Sequence, residues 1–137
     1  IQGYEYKGYV GCITSVEAYY NINMDLLKQD VQKELFFGKN KVYTRTSDSA
    51  PARYGIEANI SNSLISSGCE VDGTVENSII FRPLSYKSFR HNDGIIGKGA
   101  DINHTIMDRH VKIYSNAHLS GSRQHPVFIP KGASVNE

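Results

Sequence analysis

The chain has 137 residues, of which 39% are hydrophobic and 21% charged, a length and composition that suit one globular domain, or one domain with a piece of another attached. Fifteen Lys and Arg against 14 Asp and Glu leave a net charge of +1, so no overall field gathers nucleic acid or anionic lipid. No apolar run approaches the roughly 20 residues of a membrane span, and Cys12 and Cys69 are too few and too far apart for a disulfide framework or a zinc site. Reduced thiols in a cytoplasmic setting are the expectation.

The opening "IQGYEYKGYV" has neither an initiating Met nor a signal-peptide pattern and reads as the interior of a longer protein. In "TSVEAYYNINMDLLKQDVQKELF", Val16, Tyr19, Tyr20, Met24, Leu26 and Leu27 fall at roughly helical spacing. One or two helices are predicted there, with breaks at Asn23 or Gly38. "KVYTRTSDSAPARY" reads as a strand and then an extended connection, because Pro51 disfavours helix.

From Tyr54 the chain repeats itself. "YGIEANISNSLISSGCEV" aligns with "IGKGADINHTIMDRHVKI" from Ile96. Bulky apolar residues fall at Tyr54, Ile60, Ile65 and Val71, then at Ile96, Ile102, Met107 and Ile113, with Leu119 continuing the series. Four places after each comes a small or aliphatic residue: Ala58, Leu64, Cys69 and Val75, then Ala100, Ile106, Val111 and Ala117. "IPKGASV" repeats the spacing once more at Ile129, Ala133 and Val135. Steps of about six residues fit neither an amphipathic helix nor an alternating strand, but they suit the stacked short strands of a parallel β-helix. The copies are separated by "FRPLSYKSFRHND", which breaks the period and reads as a projecting loop, and "SGSRQHP" at 120–126 is a second, shorter break.

The chemistry-bearing residues each have a structural reading. "GIIGKGADI" at 94–102 lacks the gap and the hydroxyl after Lys98 that a nucleotide P-loop requires, and the repeat of "KGA" at 131–133 marks it as a coil turn. The histidines at 91, 104, 110, 118 and 125 show no metal-ligand spacing. One of them could act as the base of a hexapeptide acyltransferase beside acyl-CoA, a rival functional reading. Asn-Ser pairs in "ISNSLI" and "VENSII" are expected to bond backbone at turns.

Together "YVGCITSVEAYYNINMDLL", "VYTRTSDSAPARY" and "NISNSLISSGCEVDGTVENSIIF" resemble the C-terminal part of bacterial ADP-glucose pyrophosphorylases, the glucose-1-phosphate adenylyltransferases. The resemblance implies a mainly β fold, a single-stranded left-handed parallel β-helix over 41–137 with a loop insertion near 82–93. Residues 1–40 would be a helical remnant of an α/β nucleotidyltransferase domain. It also implies the making of ADP-glucose from ATP and glucose 1-phosphate for glycogen biosynthesis. Mg²⁺ and ATP would be bound by full-length catalytic members, and no cofactor by this fragment. Where catalytic members carry a metal-ligating Asp in Tyr-Trp-x-Asp-Val-Gly-Thr, this chain has "YKGYVGC", with Tyr9 at the Asp position. A neutral phenol cannot replace a carboxylate on Mg²⁺, so the chain is most similar to the non-catalytic companion subunit of the D type. A fully active subunit whose Asp comes from elsewhere is a further alternative. The resemblance further implies an oligomer with a catalytic subunit and with the chain's own nucleotidyltransferase domain. Arg109 in "IMDRHV" and Lys131 in "IPKGAS" would sit at effector positions for a sugar phosphate.

Overall fold

The structure is a computed structural model that describes residues 1–39, 41–44, 50–81 and 96–136. Ser15 starts the first helix, its hydroxyl accepting the Ala18 N–H at 3.0 Å as an N-cap. Helix α1 (Val16–Asp25) closes when the Leu26 N–H turns back to the Asn23 carbonyl and the Leu27 N–H to the Met24 carbonyl, both at 3.1 Å. Asn23 is not the break: it lies within α1 and its amide donates to the Tyr19 carbonyl at 2.8 Å. Helix α2 (Gln29–Gln32) follows and continues as a π-helical turn over Lys33–Phe37, which ends at Gly38.

Twelve strands follow among the described residues: β1 (Arg53–Tyr54), β2 (Asn59–Ser61), β3 (Leu64–Ile65), β4 (Glu70–Val71), β5 (Thr74–Glu76), β6 (Ile79–Ile80), β7 (Asp101–Asn103), β8 (Thr105–Met107), β9 (Lys112–Ile113), β10 (His118–Ser120), β11 (Val127–Ile129) and β12 (Ser134–Val135). All pairings are parallel. One four-stranded sheet has the order β10-β7-β5-β2, another β11-β8-β6-β3, and two-stranded sheets pair β1 with β4 and β12 with β9.

This arrangement corrects the expected mainly β, single-stranded left-handed β-helix. The strands are only two or three residues long and divide among four separate small sheets, with no closed helix among the described residues. The cause is visible at Ile96, which meets Val71 and Ile113 through isolated bridges rather than a strand. Gly97 follows at once, and a Cβ there would stand 2.7 Å from the Ser115 nitrogen. The six-residue period reports which residues point inward, not whether ladders join or with what hand. The loop expected over 82–93, with Pro83 and His91, lies outside the described residues.

Inside the stack, Val71, Val75, Ile96, Ile102 and Met107 are fully buried, and Ile80 and Ile113 nearly so. Each such side chain contributes roughly 1.5–3 kcal/mol by leaving water. Strand alternation splits the second apolar series. Cys69, Val75, Ala100, Val111 and Ala117 join the inner core, whereas Leu64 and Ile106 point outward with Ile79 and pack on Tyr20 of α1. Tyr20 is 2% exposed, and its phenol donates to the Asn77 carbonyl.

The corners depend on left-handed backbone. Asn62, Asn77 and His104 have φ of 45°, 47° and 48°; Gly99 and Asn116 hold a second corner, and Gly68, His110 and Gly132 a third. Asn and Gly tolerate this region. The Asn-Ser pairs do bond at the first corner. Asn62 Nδ2 donates to Asn77 Oδ1 at 2.6 Å, the Ser78 N–H donates to Ser63 Oγ, and the Thr105 N–H donates to Ser78 Oγ, both at 3.1 Å.

Candidate functional site

Tyr9 lies where residues 8–14 approach the helices. Its N–H donates to Glu34 Oε1 at 2.6 Å and its phenol to Asp25 Oδ2 at 3.0 Å. Asp25 also accepts from Lys28 Nζ at 2.7 Å. Burial, followed by the hydrogen bond and charge of Asp25, raises the Tyr9 pKa above the usual phenol value. The Lys28 hydrogen bond lowers the Asp25 pKa, helped by Tyr9 and by the charges of Lys28 and Arg123. A phenol kept neutral in this way is no ligand for Mg²⁺, and Asp25 is engaged on both oxygens. The donor set around Tyr9 therefore does not fit Mg²⁺. No group of three or more His, Cys, Asp or Glu residues is placed to hold a metal among the described residues.

Arg109 and Lys131 sit at the third corner, one layer apart. Gly132 donates its N–H to the Arg109 carbonyl at 3.0 Å, so the turn after β11 stacks on the turn after β8. Both basic side chains are exposed. Arg109 Nε lies 3.7 Å from Asp108 Oδ1, and no described residue forms an ion pair with Lys131. The sequence motifs thus name two neighbouring positions on one edge, able to meet an anionic group from the same side.

The four described histidines do not converge. His104 holds a corner with its ring 6.1 Å from that of Tyr20, His110 is a left-handed turn residue, and His118 Nδ1 lies 4.0 Å from Asp101 Oδ2 on an outer face. His125 bonds within its own loop to Ser122 Oγ, and His91 lies outside the described residues. Lys98 of the glycine stretch pairs with Glu57 at 2.8 Å, and that carboxylate raises its pKa. Gly99 has φ +73°, as a turn requires.

Sequence reading missed the seam on which α1 is seated. Arg123, in the loop between β10 and β11, donates to Asn21 Oδ1 at 3.0 Å, and Tyr19 tilts against Phe81 at 6.3 Å. The only signal was the adjacent pair Tyr19-Tyr20 in a helical pattern. Where the outward row of Leu64, Ile79 and Ile106 reaches β11, Phe128 lies beside a shallow groove of about 340 Å³ shared with Ile13, Thr14, Ser15, Val16 and Tyr19. No described helix is long and apolar enough to cross a membrane.

No family model matches the chain. It is 33% identical to the glycogen biosynthesis protein GlgD of Bacillus subtilis over 98% of its own length and 41% of that protein's. It is 41% identical to GlgD of Geobacillus stearothermophilus over 57% of the chain and 20% of that protein. To the glucose-1-phosphate adenylyltransferase of Desulfitobacterium hafniense it is 29% identical over 98% of the chain and 30% of the enzyme. The chain thus spans less than half the length of these relatives, and its similarity is to the C-terminal regions of GlgD and of ADP-glucose pyrophosphorylases.

Proposed function

We propose that this chain is the regulatory and assembly region of a GlgD-like subunit of glucose-1-phosphate adenylyltransferase, and that it does not catalyse ADP-glucose synthesis by itself. The similarity to GlgD across 98% of the chain carries this reading. Tyr9 supports it. The residue at the position of the catalytic relatives' metal-ligating Asp is a neutral phenol bonded to Asp25. Residues 1–40 form the junction with a nucleotidyltransferase domain, and 41–137 the regulatory domain. Exposed Ile1, Tyr4, Tyr6, Val10, Phe37 and Tyr43 supply apolar surface for that domain and for a catalytic subunit. Arg109 and Lys131 form the edge that receives a sugar-phosphate effector.

The test is an ADP-glucose assay on the full-length subunit alone, on its catalytic partner alone and on the two together, with and without sugar phosphates. The subunit alone should be nearly inactive, and mixing should change the partner's affinity for substrate or effector. Arg109→Ala with Lys131→Ala should weaken the effector response roughly tenfold, the loss expected for one or two charge-assisted hydrogen bonds, and leave basal activity unchanged. A lone subunit as active as its partner would defeat the reading.

A further inference from the structure

Residues 8–14 form no helix or strand, yet they are fastened at successive points to α1. Tyr9 reaches Asp25 at the end of the helix through its phenol and Glu34 through its N–H. Two residues later Gly11 lies so close to Ile22 that a Cβ would meet that side chain at 3.0 Å. Ser15 then caps the start of the helix. Contacts that run from Asp25 to Ile22 to the cap lay the segment back along α1, antiparallel to it. At its far end Ile13 and Thr14 form one wall of the groove beside Phe128. Phe128 continues the outward row of Leu64, Ile79 and Ile106, but it is 48% exposed where those three pack against Tyr20 or its neighbours. Ser15, Val16, Tyr19 and Phe128 line the rest of the groove, so its Ile13–Thr14 side exists only while the segment stays down.

We propose that residues 8–14 are a strap latched by Tyr9, and that release of its phenol from Asp25 removes the Ile13–Thr14 wall of the groove beside Phe128. The device is independent of any catalytic role for position 9, because the latch is made of this chain's own bonds. The phenol supplies the bond that a shorter carboxylate at position 9 would turn into repulsion against Asp25 and Glu34.

The chain carries its own reporter. Cys12 lies exposed on the strap, whereas Cys69 is 0% exposed in the core, so a nitroxide reagent labels the strap alone. On the full chain, Tyr9→Phe and Asp25→Ala should each raise label mobility and speed amide exchange over residues 9–14 by roughly tenfold, the factor expected when a hydrogen bond to a charged group is lost. Asp25→Asn keeps an acceptor and should retain most of the protection. Tyr4→Phe, at a phenol that is 90% exposed, should change neither readout. The stack's unfolding midpoint, taken on the same samples, should barely move. Unchanged mobility and exchange in both Tyr9→Phe and Asp25→Ala would overturn the strap. So would a loosening that appears only with an equal loss of stack stability.

Discussion

Residues 57–136 and residues 1–56 solve the problem of apolar surface in opposite ways. The first region buries Val71, Val75, Ile80, Ile96, Ile102, Met107 and Ile113 in one inner column and exposes only Tyr114 and Phe128 among its large described hydrophobics. The second buries Tyr20 and Val31 and exposes eleven, from Ile1 to Ile56. Parallel strands let each layer cover the next, so the stack needs no partner to satisfy its core. The helices have no such neighbour of their own, and α1 is held where Tyr20 meets Ile79 and Ile106. The stack, β1 included, is the folding unit, and the helical region is a guest on its outer face.

That asymmetry has a direct consequence. Ile102→Asp, which places a carboxylate in the fully buried column between Val75 and Leu119, should unfold the stack, since an unpaired buried charge costs several kcal/mol. Far-UV circular dichroism and urea melts should show both regions lost together, because the guest loses its host. Survival of α1 protection in this variant would break the comparison.

Tyr20→Ala should act in one direction only. Removing a large aromatic from its seat costs about 3 kcal/mol locally, and it also frees the Asn77 carbonyl that the phenol served. Amide exchange across α1 should accelerate while the inner strands β5 to β8 keep their protection. Tyr20→Phe, which retains the ring, should lose about 1 kcal/mol, the net worth of one hydrogen bond. If Tyr20→Ala melts the strands as deeply as Ile102→Asp does, the helix is part of the folding unit after all.

What could be seen in the sequence follows the same division. Ile96, Ile102, Met107 and Ile113 were legible because an inward position is decided by steps of five or six residues, and all four are buried. Gly97 and Gly99 of "GIIGKGADI" were legible as residues easing the turn, since a Cβ on Gly97 would meet backbone and Gly99 is left-handed. The partition into four sheets was not, because it depends on Ile96 making bridges instead of a strand. Leu64 and Ile106 share a periodic series with Cys69 and Val111, and only the position of α1 shows that they face the other way. At the candidate site, Arg109 and Lys131 could be named from short motifs, but their stacking rests on the bond from Gly132 to the Arg109 carbonyl. The Tyr9–Asp25 and Arg123–Asn21 bonds join residues 16 and 102 positions apart, and no local pattern announces them.

The smallest expected effect separates the regions by pH. Asp25 has a lowered pKa in the folded chain, chiefly through Lys28 and then Tyr9, so its ionised form is favoured on folding. Its contribution is present in full above the ordinary Asp value of about 3.9 and is lost as the pH falls through the lowered folded value. Among the described residues no carboxylate is buried in the inner column, so it has no such dependence. Exchange protection of residues 9–14 and of α1's last turn should therefore decline as the pH falls below the ordinary Asp value in the wild type, ahead of the inner strands. Asp25→Asn should flatten that decline because the group no longer titrates. The side chains are partly exposed to water and salt, so the difference should be a fraction of a kcal/mol. An identical acid profile in the wild type and Asp25→Asn would mean that the loss of protection comes from other carboxylates, with Glu34, the acceptor of the Tyr9 N–H, the next to replace.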